Sequence, residues 1–171
     1  MADGRAVSKP ILGVLLALTL GFVPPPAAGD ALRDACMGAS GKLPSSLSVA
    51  KAMKQNLTAG HYAISKRQAR SLEAVATTCG GAGYDVAGYR YLHAFALMIE
   101  AQSDLATGDL VGKALMERSV HDAGVLAATP AIDPDLRKLA RDIVYGGNLE
   151  LARLKTARPG ELITPPPTAP P

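Results

Sequence analysis

The sequence predicts an all-α protein: a small antiparallel bundle of about six helices, closed by one disulfide. Three observations carry this. Between residues 30 and 158, apolar side chains recur at helical spacing, and no stretch shows the alternation of a half-buried strand. Gly, Asn and Pro divide that segment into six periodic stretches with short loops, which makes sequential helices antiparallel neighbours. The only two cysteines, Cys36 and Cys79, each fall on the apolar stripe of a different helix. With 171 residues the chain fits one domain, and 48% hydrophobic residues is too many for a wholly disordered chain.

Residues 1–29 read as a secretory signal peptide. Arg5 and Lys9 precede an apolar run of 13 residues, 11–23, followed by Pro24-Pro25-Pro26 and the small residues Ala27-Ala28-Gly29. At ~1.5 Å per residue that run reaches about 20 Å, short of the ~30 Å bilayer core. Cleavage is expected just before Asp30. A lipid anchor on Cys36 is rejected because Arg33-Asp34-Ala35 puts charge directly before it. The exported chain is therefore expected to have no membrane span and to work in the periplasm or outside the cell.

The bundle domain is residues 30–158. Its first helix is short, 30–39, and ends at the turn Ser40-Gly41-Lys42-Leu43-Pro44. Ser45 or Ser46 caps the second, which carries Val49, Ala50, Met53 and Leu57 on one stripe. The third runs over 61–79 with Ile64, Gln68, Leu72, Val75, Ala76 and Cys79 inward, and Gly80-Gly81-Ala82-Gly83 stops it. The fourth, 86–107, is the most apolar. It places Tyr91, Leu92, Phe95, Met98, Ile99, Gln102, Leu105 and Ala106 on one side and reads as the central helix. The fifth, 110–128, buries Val111, Leu115, Met116, Ala123 and Leu126. Asp133 or Asp135 caps the sixth, with Leu136, Leu139, Ala140, Ile143, Val144, Leu151 and Leu154 inward. Gly146-Gly147 is expected to bend or split it, since each Gly costs about 1 kcal/mol against Ala. The Gly108-Asp109…Ala114 turn, the one stretch comparable to a helical solenoid repeat, has no second copy in the chain, so no repeat is predicted. Residues 159–171 hold six prolines and read as a disordered, solvated tail, although Pro167-Thr168-Ala169-Pro170 has the PxxP spacing.

Cys36 and Cys79 are expected to pair in an oxidising compartment, because redox-active pairs sit much closer in sequence than these 43 residues. Closing that loop stabilises by roughly 4 kcal/mol in the chain-entropy treatment.

No catalytic signature is present. His61, His93 and His121 have none of the H-x-x-x-H, H-E-x-x-H or C-x-x-C-H spacings, and there is no G-x-S-x-G elbow. Gly80-Gly81-Ala82-Gly83 lacks the Lys-Ser/Thr of a phosphate loop. The chain is expected to be non-enzymatic and to need no cofactor. Tyr89, His93, Glu100 and Asp104 share one face of the fourth helix, opposite its apolar stripe, and read as a solvated polar face. The alternative is a metal or haem held by His93 with Glu100 or Met98.

Charge order is the one feature beyond scaffold. Residues 35–72 hold six bases and no acid, whereas residues 73–135 hold nine acids against three bases. Two readings follow. The second and third helices present a basic face, with Lys51, Lys54, Lys66, Arg67 and Arg70, to an acidic protein or another envelope component. Or the basic hairpin packs against the acidic one and neutralises it. Nucleic acid is disfavoured by export and by Tyr62 being the lone aromatic available there for stacking. The expected function is non-enzymatic binding of another macromolecule.

Overall fold

The computed structural model describes residues 26–37 and 44–156, and these form six helices with no strand among the described residues. They are α1 (Pro26–Met37), α2 (Pro44–Thr58), α3 (Tyr62–Gly81), α4 (Val86–Ala106), α5 (Val111–Ala128) and α6 (Pro134–Thr156). Of the expected signal peptide 1–29, residues 1–25 lie outside the described residues and 26–29 fall in α1; residues 40–43 of the expected turn and the Pro-rich tail from 159 also lie outside them.

Three helices begin at a proline. Proline is well placed in a first turn, where its missing N–H would have no intrahelical partner and its φ is already helical. α1 therefore starts four residues ahead of Asp30, and α2 starts at Pro44, ahead of both serines expected to cap it. At α6 the cap is Asp133: its Oδ1 accepts from the backbone N of Asp135 at 2.8 Å and of Leu136 at 3.1 Å. Asp85 caps α4, accepting from Gly88 N at 3.1 Å.

Each helix from α2 onward packs on the next, and α4 additionally touches α2 and α6. The result is two layers, with α2, α4 and α6 in one and α3 and α5 in the other. α3 and α4 run antiparallel, as do α4 and α5, and α5 and α6. α4 and α6 run in the same direction: Tyr91 packs near Leu136 and Ala140, and Leu105 near Leu151 and Leu154. α4 is the central helix, as the sequence suggests.

Its burial pattern is not the expected one. Tyr89, Glu100 and Asp104, expected on a solvated face, are among the buried residues. Part of the expected core stripe (Tyr91, Phe95, Met98, Gln102 and Ala106) is only half-buried. The cause is the number of neighbours. A helix packed on four others has no single wet face, and Ala94, Ala101 and Ser103 let those neighbours approach closely on the side that hydropathy ranks low.

α3 is also rotated from expectation. Its buried residues are Ser65, Ala69, Leu72, Ala76 and Cys79, while Ile64 and Val75 stay 41% and 40% exposed and Gln68 is half-buried. Ser65 can be buried because its hydroxyl donates to Met53 O at 3.0 Å, joining α3 to α2. In α5, Val111 is exposed, whereas Gly112 and Ser119 are buried against α4. A Cβ on Gly112 would lie 2.5 Å from Ala101 O, so α5 crosses α4 at a distance only glycine allows. Ser119 donates to Ala94 O at 2.7 Å across the same interface.

α6 does not split at Gly146-Gly147 but runs as one helix over Pro134–Thr156. Gly147 is buried where a Cβ would strike Val120, so the residue is there for helix contact.

Cys36 and Cys79 are joined by a disulfide, with Cα atoms 5.5 Å apart, and both are buried. Tyr89 adds a hydrogen bond from its hydroxyl to Cys36 O. These contacts hold α1 against the α3–α4 pair.

Candidate functional site

Lys66 and Arg70 of the basic hairpin each reach a buried acid of α4; Lys66 is half-buried, and Arg70 pairs from an exposed position. Lys66 Nζ pairs with Asp104 Oδ1, and Arg70 Nε donates to Glu100 Oε1 at 2.7 Å. Bases four apart on α3 meet acids four apart on α4 in opposite order, as antiparallel helices require. The hydrogen bond to Glu100, and then its charge, hold the Arg70 guanidinium above its ordinary pKa. Asp104 keeps its second oxygen, Oδ2, buried and unpartnered.

Two of the five candidate binding residues therefore neutralise acids of the same protein. Lys51, Lys54 and Arg67 remain exposed, with no ion-pair partner among the described residues. Lys51 and Lys54 lie on α2 and Arg67 on α3.

His93 is half-buried between layers. Its Nε2 is 3.4 Å from Glu73 Oε1 of α3, and its Nδ1 is 3.5 Å from Asp122 Oδ2 of α5. Asp122 also lies 3.9 Å from Arg118 Nε. His93 and Glu100 are thus given separate partners, and Met98 faces elsewhere. Among the described residues no group of three or more His, Cys, Asp or Glu is placed to hold a metal ion. His93 also borders a cavity of about 520 Å³ with Arg90, His121 and Val125.

The larger opening, about 910 Å³, was not anticipated. It runs over the half-buried strip of α4, with Tyr91, Phe95, Met98 and Gln102 as its floor. α2 supplies one wall with Lys54 and Leu57. α6 supplies the other with Leu139, Asp142, Ile143, Gly146 and Glu150. Tyr62, at the start of α3, closes one end. The Tyr91 and Phe95 rings stack with centroids 6.0 Å apart. Burial, reinforced by the negative charge of Asp142, pushes the Tyr91 hydroxyl above the usual tyrosine pKa. Glu150 is engaged by Arg153 at 2.6 Å, so Asp142 is the uncommitted acid of that wall.

The groove was hidden in the sequence by its own composition, because its floor is the stripe that hydropathy assigns to the core. The signal that separates it is aromatic content: three of the chain's seven aromatic residues, Tyr62, Tyr91 and Phe95, meet there. No family model matches this chain, and neither a curated protein nor a solved structure does. No helix among the described residues is long and apolar enough to cross a membrane.

Proposed function

We propose that this is an exported, non-enzymatic helical protein that binds another protein through the groove over α4. The observation that carries the reading is the open aromatic floor. Tyr91, Phe95 and Met98 lie half-buried in the central helix of the fold, between two walls that leave them uncovered. Aromatic residues and Met are enriched in the buried centres of protein interfaces. Burying that floor against a partner removes apolar surface from water at about 25 cal/mol per Å².

Lys54 of the basic hairpin sits on the rim and contributes charge, while Lys51 and Arg67 are peripheral. Periplasmic or extracellular location is supported by the residue order at the start of the chain and by the Cys36–Cys79 pair, since structural disulfides persist in oxidising compartments.

Gly146 gives a clean test. It lines the α6 wall, and a Cβ added there meets nothing within 4 Å. Gly146→Leu therefore adds a side chain to the groove without displacing the core. A photo-crosslinking residue at position 102 captures a partner in the native cell envelope, and Gly146→Leu abolishes the capture. Capture that survives Gly146→Leu but is lost in Lys51→Glu/Arg67→Glu moves the binding face to the outside of the basic hairpin.

A further inference from the structure

The occupant of the groove has a definable chemistry. The floor residues Tyr91, Phe95, Met98 and Gln102 follow the i, i+4, i+7, i+11 spacing of one helix ridge, and the open strip continues to Ala106. From position 91 to 106 the strip is about 22 Å long at 1.5 Å per residue. That length matches roughly four turns of a second helix, whose own ridge fits beside the first.

An extended segment fits less well. Its backbone N–H and C=O groups would lie against an apolar floor and need partners there. The described residues offer no sheet edge, and the floor offers one amide, Gln102, and the Tyr91 hydroxyl. A helix satisfies its own backbone.

The walls differ in charge. Lys54 on α2 and Asp142 on α6 face the groove from opposite sides, and neither has an ion-pair partner among the described residues. Glu150 is taken by Arg153.

We infer that the groove accepts an amphipathic helix of a partner protein, its apolar stripe on Tyr91, Phe95 and Met98, an acidic flank toward Lys54 and a basic flank toward Asp142. This rests on the groove reading above and adds the partner's chemistry and direction. A helix with one acidic and one basic flank matches both walls in one direction only, because turning it end for end exchanges its flanks. Wall charge thus sets which end of the partner lies beside Tyr91 and which beside Ala106. The apolar stripe supplies the affinity and the flanks supply the orientation.

The probes are three synthetic 16-residue helices with the same Leu/Phe stripe: one with a Glu flank and an Arg flank, one with Glu on both, and one with Arg on both. Each carries a nitroxide at its N-terminus. The full chain is titrated at low salt, and paramagnetic broadening is read at the amides of Tyr91 and Ala106. The mixed-flank helix is expected to bind roughly three- to thirtyfold more tightly than either single-sign helix, from two exposed pairs. Its label is expected to broaden only one of the two amides, and in Lys54→Glu/Asp142→Lys the broadening moves to the other. Equal affinity for all three helices, or broadening at an unchanged end in the charge-reversed protein, overturns the inference while leaving the groove reading intact, provided Gly146→Leu still blocks all three. Binding that ignores Gly146→Leu overturns both. A peptide of residues 159–171 that displaces the mixed helix at lower concentration would assign the groove to the chain's own tail. Self-association that dilutes away and is lost in Gly146→Leu would assign it to a second copy. Either result overturns the inference.

Discussion

The pair between Lys66 and Asp104 sets up a quantitative test of how this fold handles charge. The Asp104 side chain is 3% exposed and that of Lys66 is 27% exposed. One carboxylate oxygen is bound by the ammonium and the other has no partner. Lys66→Met keeps the stem that packs on α4 and removes the charge, stranding a carboxylate that is already half unsatisfied. Breaking a fully buried pair costs about 3–5 kcal/mol. Water reaches the Lys66 side, which lowers the cost here to about 2–3 kcal/mol. Asp104→Leu leaves a cation that can swing toward solvent, at about 1 kcal/mol. The double variant replaces the pair by apolar side chains and should fall within about 1 kcal/mol of the parent protein. The coupling energy in the cycle is then about 3 kcal/mol, and at least about 2 kcal/mol. Urea unfolding followed by circular dichroism, with the dependence on denaturant held constant across the four proteins, measures it. Single costs that simply add, to within about 0.5 kcal/mol, would refute the claim that the basic hairpin is neutralised internally.

Further outcomes follow from the same geometry. Gly146→Ala should stabilise by up to about 1 kcal/mol through helix propensity, whereas Gly147→Ala should destabilise because its Cβ meets the stiff side chain of Val120; thermal melts of the two variants should move in opposite directions. Cys36→Ala/Cys79→Ala should lose roughly 4 kcal/mol from a 43-residue separation, with limited proteolysis first cutting α1 away. The raised pKa of Tyr91 means that the folded state holds its proton more tightly than the unfolded chain. That contribution is complete below the ordinary tyrosine pKa of about 10 and is lost as pH rises from there through the folded value. Stability above pH ~10 should therefore fall less steeply in Tyr91→Phe, and in Asp142→Asn the Tyr91 phenol should ionise at lower pH by ultraviolet titration.

Much of this fold is legible in the sequence. Gly and Pro mark the helix boundaries to within a few residues, Asp133 is recognisable as a cap, and the length and hydropathy of 86–106 pick out the central helix. The cysteine pairing follows from there being only two. What stays hidden has a common physical origin. Hydropathy assumes that a helix has one wet face, but α4 contacts α2, α3, α5 and α6. Its acids are buried because α3 delivers cations to them, and its aromatic strip is open because α2 and α6 stand apart over it. Close packing at Gly112, Gly147, Ala94 and Ser119 leaves no hydropathy signal. Ile64 and Val75 mislead for the same reason, since smaller Ser65 and Ala69 give α3 a tighter seat. The charge ladder was readable in principle: Lys66 and Arg70 are four apart, as are Glu100 and Asp104, and antiparallel helices bring such pairs together.

Methyl-labelled methionine offers the most direct test of the groove as the binding surface. Met98 lies half-buried on the groove floor, while Met53 and Met116 are fully buried at helix interfaces and act as internal controls. On addition of the mixed-flank helix, the Met98 methyl resonance should shift in a saturable way, with Met53 and Met116 unchanged, and the shift should vanish in Gly146→Leu. A bound helix that leaves Met98 unmoved, or that moves it equally in Gly146→Leu, would contradict the account.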